Sequence, residues 1–420
     1  MGMDLLKRIT DFYLSSRDFN GIPLSTLATS EDRGRLSIAL AALVRDELVS
    51  IVFGDRHPNP HIRALPDHHS PDSQVQLLET DAWRHACAYP LPKHLATVIQ
   101  KLDYAGRPYA LALALGEPQL VHHAFDLTVL EPYRNDPRYS FTTDDIYGSI
   151  SVHEAETAGS GLPPHDEVLM QSFGFAYDNE LNKYVAAFTW DLFKLTPEHQ
   201  QDWKRKEVSL ETTLHPDYFL SQVLGEWPKK VSIYQAFIEE LQVINRMAAA
   251  MGRPPLFRED FSEHDRPREF FSLLRPTARE FDTFCHLLDK LLSDNLSKDF
   301  FLDDVRTEHE AARSGGKVLI QPKGTIALLE EWVRARFRAV DTGPLDELFV
   351  ALREVRRLRQ KPAHAVNSNA FDQQYLRRQR ELMVQAYTAL RTLRLILANH
   401  PLAKGVEIPQ HLFAGDIWSR

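Results

Sequence analysis

Residues 345–358 read LDELFVALREVRRL, with apolar side chains Leu345, Leu348, Phe349, Leu352 and Val355 recurring at intervals of three and four. That period predicts a helix burying one face, and its polar positions leave Arg353, Arg356 and Arg357 on the outside. The same reading extends outward along the chain. Pro276-Thr277 opens a helix with Glu280 at capping-box spacing, and its stripe is Phe281, Phe284, Leu288, Leu291 and Leu292. A helix over about residues 325–340 buries Leu328, Leu329, Trp332 and Phe337. Another, over about 371–398, buries Tyr375, Leu382, Ala386, Leu390, Leu393 and Leu397 and stops before Pro401. Residues 270–400 therefore read as an antiparallel helical bundle.

Upstream of the bundle, Ser232 and Gln235 cap a helix in the connector 196–269, with Phe237, Leu241 and Ile244 in phase until Gly252. Residues 75–195 mix short strands and helices with frequent proline and glycine and read as an α+β domain; Tyr109–Leu115 and Phe125–Leu130 are its expected strands. Residues 1–66 give three short helices, a β-branched strand at Leu48–Phe53, a turn over 54–60 and a return strand at His61–Leu65. That order resembles a winged helix-turn-helix, which implies contact with nucleic acid or protein through the third helix and the wing. The polar stretch PDHHSPDS, residues 66–73, reads as a linker, and residues 401–420 as a tail. The expected class is α+β multidomain, mainly α: a winged-helix-like unit, an α+β middle domain and a C-terminal antiparallel helical bundle.

The 420 residues are 43% apolar and 25% charged, enough to build several cores, which excludes global disorder and a fibrous rod. The longest apolar runs, Ile38–Val44 and Tyr109–Leu115, are far shorter than a membrane span of roughly 20 residues. Residues 1–19 carry charges and no cleavage-site pattern, and the only two cysteines, Cys87 and Cys285, have neither zinc nor disulfide spacing. A cytoplasmic protein is expected. Net charge is −9, so attraction to a phosphate polymer has to come from a local basic patch.

Such a patch lies between the last two bundle helices, where Arg359-Gln-Lys-Pro-Ala-His364 is flanked by Arg353, Arg356 and Arg357 and contains Lys361. An arginine holds phosphate and stays charged, while histidine moves a proton near neutrality. RNA carries its own nucleophile in the 2′-hydroxyl, so a base, an acid and charge stabilisation suffice for cleavage. The segment, over about residues 270–400, resembles the HEPN family of helical-bundle ribonucleases and nucleotide-binding domains, whose signature is Arg, four to six residues, then His. The resemblance implies a metal-independent endoribonuclease, acting in antiviral defence or as a toxin. Arg359 would bind the scissile phosphate, His364 would move the proton, and Arg353, Arg356, Arg357 and Lys361 would hold RNA. It also implies a homodimer that shares one composite site, with no cofactor and no metal, and an activity kept in check by a regulatory partner protein. Gln360 and Pro362 depart from the commoner pattern, and Pro362 would break a helix running through the motif. Two further Arg-x4-His matches, Arg56/His61 and Arg63/His68, fall in the expected wing and linker. The alternative is a non-catalytic winged-helix regulator, binding nucleic acid or protein and dimerising through its bundle.

Other constellations carry less. Asp55, His57, His61, His68 and His69 read as a surface cluster rather than a zinc site, and the pairs Asp144-Asp145 and Asp303-Asp304 as solvated. Residues 313–317, RSGGK, lack the spacing of a phosphate loop. Cys87 and Cys285 lie among apolar neighbours and read as inert.

Overall fold

The computed structural model describes residues 2–28, 32–57, 59–143, 146–153, 162–227, 230–261, 266–302, 304–312, 318–338, 340–360 and 368–418. The chain is mixed α/β and mainly helical, and it divides into two compact units, Met1–Pro228 and Lys229–Arg420. The breaks expected near residues 70, 195 and 270 thus fall inside the units.

The first unit opens with α1 (Gly2–Ser15), β1 (Ile22–Pro23), α2 (Leu24–Ala28), α3 (Arg33–Arg45) and β2 (Val49–Val52). Asp32 caps α3, its carboxylate accepting the Gly34 and Arg35 N–H groups at 2.9 and 3.2 Å. Leu5, Ile9, Leu24, Leu27, Leu36, Leu40, Val49 and Ile51 close one core. The return strand is not His61–Leu65 but β3 (Cys87–Pro90), which lies between β1 and β2 and runs antiparallel to both. Burial of all four β3 residues suits a central strand. Residues 61–65 instead serve another partner, the Arg63 and Ala64 carbonyls accepting the Gln119 and Leu120 N–H groups. Nor are residues 66–73 simply a linker. Ser70 caps α4 (Pro71–Leu77), and buried Gln74 accepts the Ile51 N–H at 2.8 Å, which ties the helix to β2.

The rest of the unit is a six-stranded sheet of β4 (His122–Phe125), β5 (Tyr139–Thr143), β6 (Tyr147–Val152), β7 (Leu169–Tyr177), β8 (Lys183–Phe188) and β9 (Thr213–Leu214). Its order is β4-β8-β7-β6-β5, antiparallel throughout, with β9 pairing on β7. Two expected strands are not strands. Pro108–Ala114 forms α5, because proline suits the first helical turn and the Ala/Leu run that follows favours helix. After Phe125, the Asp126 carboxylate accepts the Thr128 N–H at 2.9 Å and turns the chain into a short 3-10 segment. α6 (Pro197–Lys206) follows the sheet's long strands.

The second unit is built on α7 (Ile233–Ala250), α8 (Ala278–Leu291), α9 (Thr325–Arg336), α10 (Gly343–Gln360) and α11 (Gln374–Ala398), which share one apolar core. Ser232 and Thr277 cap α7 and α8 as their sequences require, the bonds to the Gln235 and Glu280 N–H groups being 3.1 and 3.3 Å. α11 packs on α7 and α10, and α10 packs on α8. Two features escaped the sequence: a hairpin of β11 (Glu308–Ala312) and β12 (Val318–Pro322), and a parallel pair of β10 (Val231–Ser232) with β13 (Ile417–Trp418). The second shows that the expected tail is packed over its described residues 401–418, since Ala403 and Leu412 are buried as well. Among the described residues no helix is long and apolar enough to cross a membrane.

Candidate functional site

The apolar face of α10, Leu345, Leu348, Phe349, Leu352, Val355 and Leu358, is buried. Arg356 and Arg359, three positions apart, therefore share an edge that meets the C-terminal end of α8. Asp289 lies in the last turn of α8 with its side chain fully buried, and Asp294 follows the helix. A carboxylate at a helix C-terminus opposes the macrodipole, so these acids need cations. Arg356 spans both, donating from Nε to Asp289 Oδ1 at 3.1 Å and from Nη2 to Asp294 Oδ1 at 2.8 Å. Arg359 donates from Nη1 alone, to Asp289 Oδ2 at 2.6 Å and to Asp294 Oδ2. Its side chain is 28% exposed, and among the described residues Nε and Nη2 have no protein acceptor. The bond to Asp289, with a further contribution from Asp294, pushes the Arg359 pKa higher still, so this guanidinium is permanently charged.

The other expected RNA-binding arginines are ion-paired too: Arg353 with Glu330, and Arg357 with Glu354 through bonds of 2.7 and 2.6 Å. These pairs lie at the surface and exchange readily with solvent. Together with Arg356, they make the patch far less cationic than its sequence. His364 and Lys361 lie outside the described residues. Of the two other Arg-x4-His matches, Arg63 binds Asp67 at 2.9 Å, and His61 Nδ1 sits 3.7 Å from Cys87 Sγ.

In the first unit, Asp55, His68 and His69 converge. His68 Nε2 and His69 Nε2 lie 2.9 and 2.8 Å from the same oxygen, Asp55 Oδ2. His57 and His61 do not join them: His57 Nδ1 accepts the Asn59 N–H of its own turn at 3.2 Å. The acidic pair expected to be solvated is not, for the half that is described. Asp304 is 8% exposed and accepts from Trp332 Nε1 at 2.8 Å and from Arg253 and Arg336. Asp144, Asp145, Asp303 and residues 313–317 lie outside the described residues. Cys87 and Cys285 are buried, and burial pushes both thiols up to about 12, as inert cysteines require.

A third cluster has no signature in the sequence. His123 on β4 sits between two carboxylates, Nε2 to Glu117 Oε1 at 2.9 Å and Nδ1 to Glu207 Oε1 at 3.2 Å. Tyr109 donates to Glu207 Oε2 at 2.8 Å, Lys204 to the same oxygen at 2.9 Å, and Thr189 to Glu117 Oε1 at 2.6 Å. Burial alone would lower the imidazole pKa, but bonds to Glu117 and Glu207 outweigh it and raise it to about 9. Burial likewise works against ionised Glu207, yet its bonds from His123, Lys204 and Tyr109 hold it at about 2. The members are spread over residues 109–207 with no common period, so only the fold reveals them.

Compared with known proteins, the chain matches no family model, no curated protein and no solved structure.

Proposed function

We propose that the second unit is a metal-independent endoribonuclease of the HEPN type, with Arg359 and His364 as its reacting pair. The observation that supports this most is the half-used Arg359 guanidinium. Asp289 and Asp294 fix it through one nitrogen at the end of α10, five positions before the segment's histidine in sequence, while its Nε–Nη2 edge is left among the described residues for a phosphate. In the proposed reaction the 2′-hydroxyl attacks phosphorus as His364 takes its proton. The P–O5′ bond breaks, a 2′,3′-cyclic phosphate forms, and the proton passes to the departing 5′-oxygen. Arg359 stabilises the charge gathering on the non-bridging oxygens. Bound RNA displaces the surface partners of Arg353 and Arg357, and Lys361 adds a further cation. The protein acts as a homodimer in the cytoplasm, in antiviral defence or as a toxin, under a regulatory partner.

A second reading is favoured by the strand order β1-β3-β2 and by the element order α1-β1-α2-α3-β2-β3, with α4 inserted between β2 and β3, which suit a winged helix. There the first unit binds nucleic acid or protein, and the chain is a regulator without turnover. The exposed face of α3, with Arg35, Ile38 and Arg45, is its contact surface. Incubating a mixed RNA pool with the full chain in EDTA, followed by analysis of product ends, separates the two. The ribonuclease yields cyclic phosphate ends, and His364→Ala loses roughly 10²- to 10⁴-fold in rate. Equal cleavage by a folded His364→Ala protein overturns the assignment, and no cleavage by either protein favours the regulator.

A further inference from the structure

Asp55, His68 and His69 offer a carboxylate and two imidazoles on rigid supports. Asp55 follows β2 after Phe53 and Gly54, and the φ of +77° at Gly54 makes the turn that a glycine permits. His68 and His69 immediately precede Ser70, the cap of α4. Gln74, itself buried, locks the two supports together: its Oε1 accepts the Ile51 N–H at 2.8 Å, and its Nε2 donates to the His69 carbonyl at 3.0 Å. Phe53 packs edge-on against the His69 ring at 6.0 Å.

Consecutive residues usually direct their side chains apart, yet both imidazoles here reach one oxygen, and their ring centres are 3.9 Å apart. One ligand atom from each of the three residues lies within 4.8 Å of the others. Metal bonds of about 2.0–2.2 Å place ligand atoms roughly 3.3–3.6 Å apart in a tetrahedral site. The observed Nε2–Oδ2 separations of 2.9 and 2.8 Å therefore need to open by only about half an ångström. His69 Nδ1 is 3.4 Å from Ser73 Oγ, which can accept the ring proton once Nε2 turns its lone pair to a metal.

We propose that Asp55, His68 and His69 bind one divalent transition-metal ion, Zn²⁺ by the donor set, with a further coordination position open to solvent. Two histidines and one carboxylate with a vacant position form a common zinc arrangement. All three side chains are at least partly exposed, so an ion has a path in, and they line a shallow cleft together with Arg56 and Arg63. The ion would pin the chain between β2 and α4 to the small sheet. It lies in the first unit, and the ribonuclease reading of the second does not depend on it.

The test is equilibrium dialysis of the chelator-treated full chain against Zn²⁺ alone, beside the single alanine variants of the three residues and the triple variant. The expected result is one Zn²⁺ per chain, weakened about 100-fold or more by each substitution. His57→Ala and His61→Ala, in the same stretch but outside the triad, keep wild-type affinity. Zn²⁺ also raises the melting temperature of the wild type and not of the triple variant, a readout that stands if a variant is destabilised. Uptake by the triple variant equal to that of the wild type, or no uptake by the wild type, overturns the proposal.

Discussion

Arg359 and His123 each sit between two carboxylates, one in each unit, and differ in what they have left to offer. His123 spends both ring nitrogens, and its glutamates accept further bonds from Thr189, Tyr109 and Lys204. Among the described residues, Arg359 spends one nitrogen of three. A saturated cluster is a brace for the fold, whereas a partly used, permanently charged group is equipped to meet a ligand. Arg394 and Glu240 mark the sealed extreme, a 2.6 Å pair joining α11 to α7 with side chains 3% and 0% exposed.

The largest effect is expected where sealing is complete. Arg394→Met strands Glu240, whose pKa burial already raises, and costs about 3–5 kcal/mol in denaturant melts. His123→Gln comes next, at about 3 kcal/mol, because two carboxylates lose their common cation. The pH dependence carries a signature. His123 titrates at about 9 when folded, above its ordinary 6.5. Its stabilisation is complete below pH 6.5 and is lost as pH rises through 9. Glu207 has the opposite sign: held at about 2 against an ordinary 4.5, it stabilises above pH 4.5 and loses that contribution as pH falls through 2. Hydrogen exchange at residues 122–125 should therefore accelerate between pH 7 and 9 beyond the intrinsic rate in the wild type, and His123→Gln should remove that extra slope.

Arg356→Ala and Arg359→Ala test the half-open cluster. Either one leaves Asp289 a partner, so each costs only about 1–2 kcal/mol, while the double variant strands a buried acid and exceeds the sum by about 1 kcal/mol or more. Additive losses would show that the two arginines do not share Asp289 in solution. The smallest effect belongs to Arg353→Ala and Arg357→Ala, which leave the melting temperature unchanged. Each should reduce the salt slope of RNA binding by about 0.7, and an unaltered slope removes that residue from the RNA surface.

These differences explain what the sequence could and could not disclose. The helical stripes were legible because Leu348, Leu352 and Val355 or Phe284 and Leu288 repeat at a local period, and capping bonds act over three residues. The strand at Cys87–Pro90 was missed because pairing with Val49–Val52 is set by burial across an insertion of more than thirty residues. The basic patch was legible as charge, but its neutralisation was not. Asp289 and Asp294 are about seventy positions from Arg359, and only the packing of α10 on α8 brings them together. Asp55, His68 and His69 were visible as residues, yet the sequence could not say that His68 and His69 would share an oxygen while His57 and His61 turned away.

The most direct test of Arg359 is single-turnover cleavage of an RNA pool in EDTA by Arg359→Ala beside the wild type, with folding of both verified by hydrogen exchange. The expected result is a folded variant with cleavage reduced by roughly 10²- to 10³-fold. A folded Arg359→Ala protein that cleaves RNA at the wild-type rate would contradict the assignment and leave Arg359 as a brace like His123.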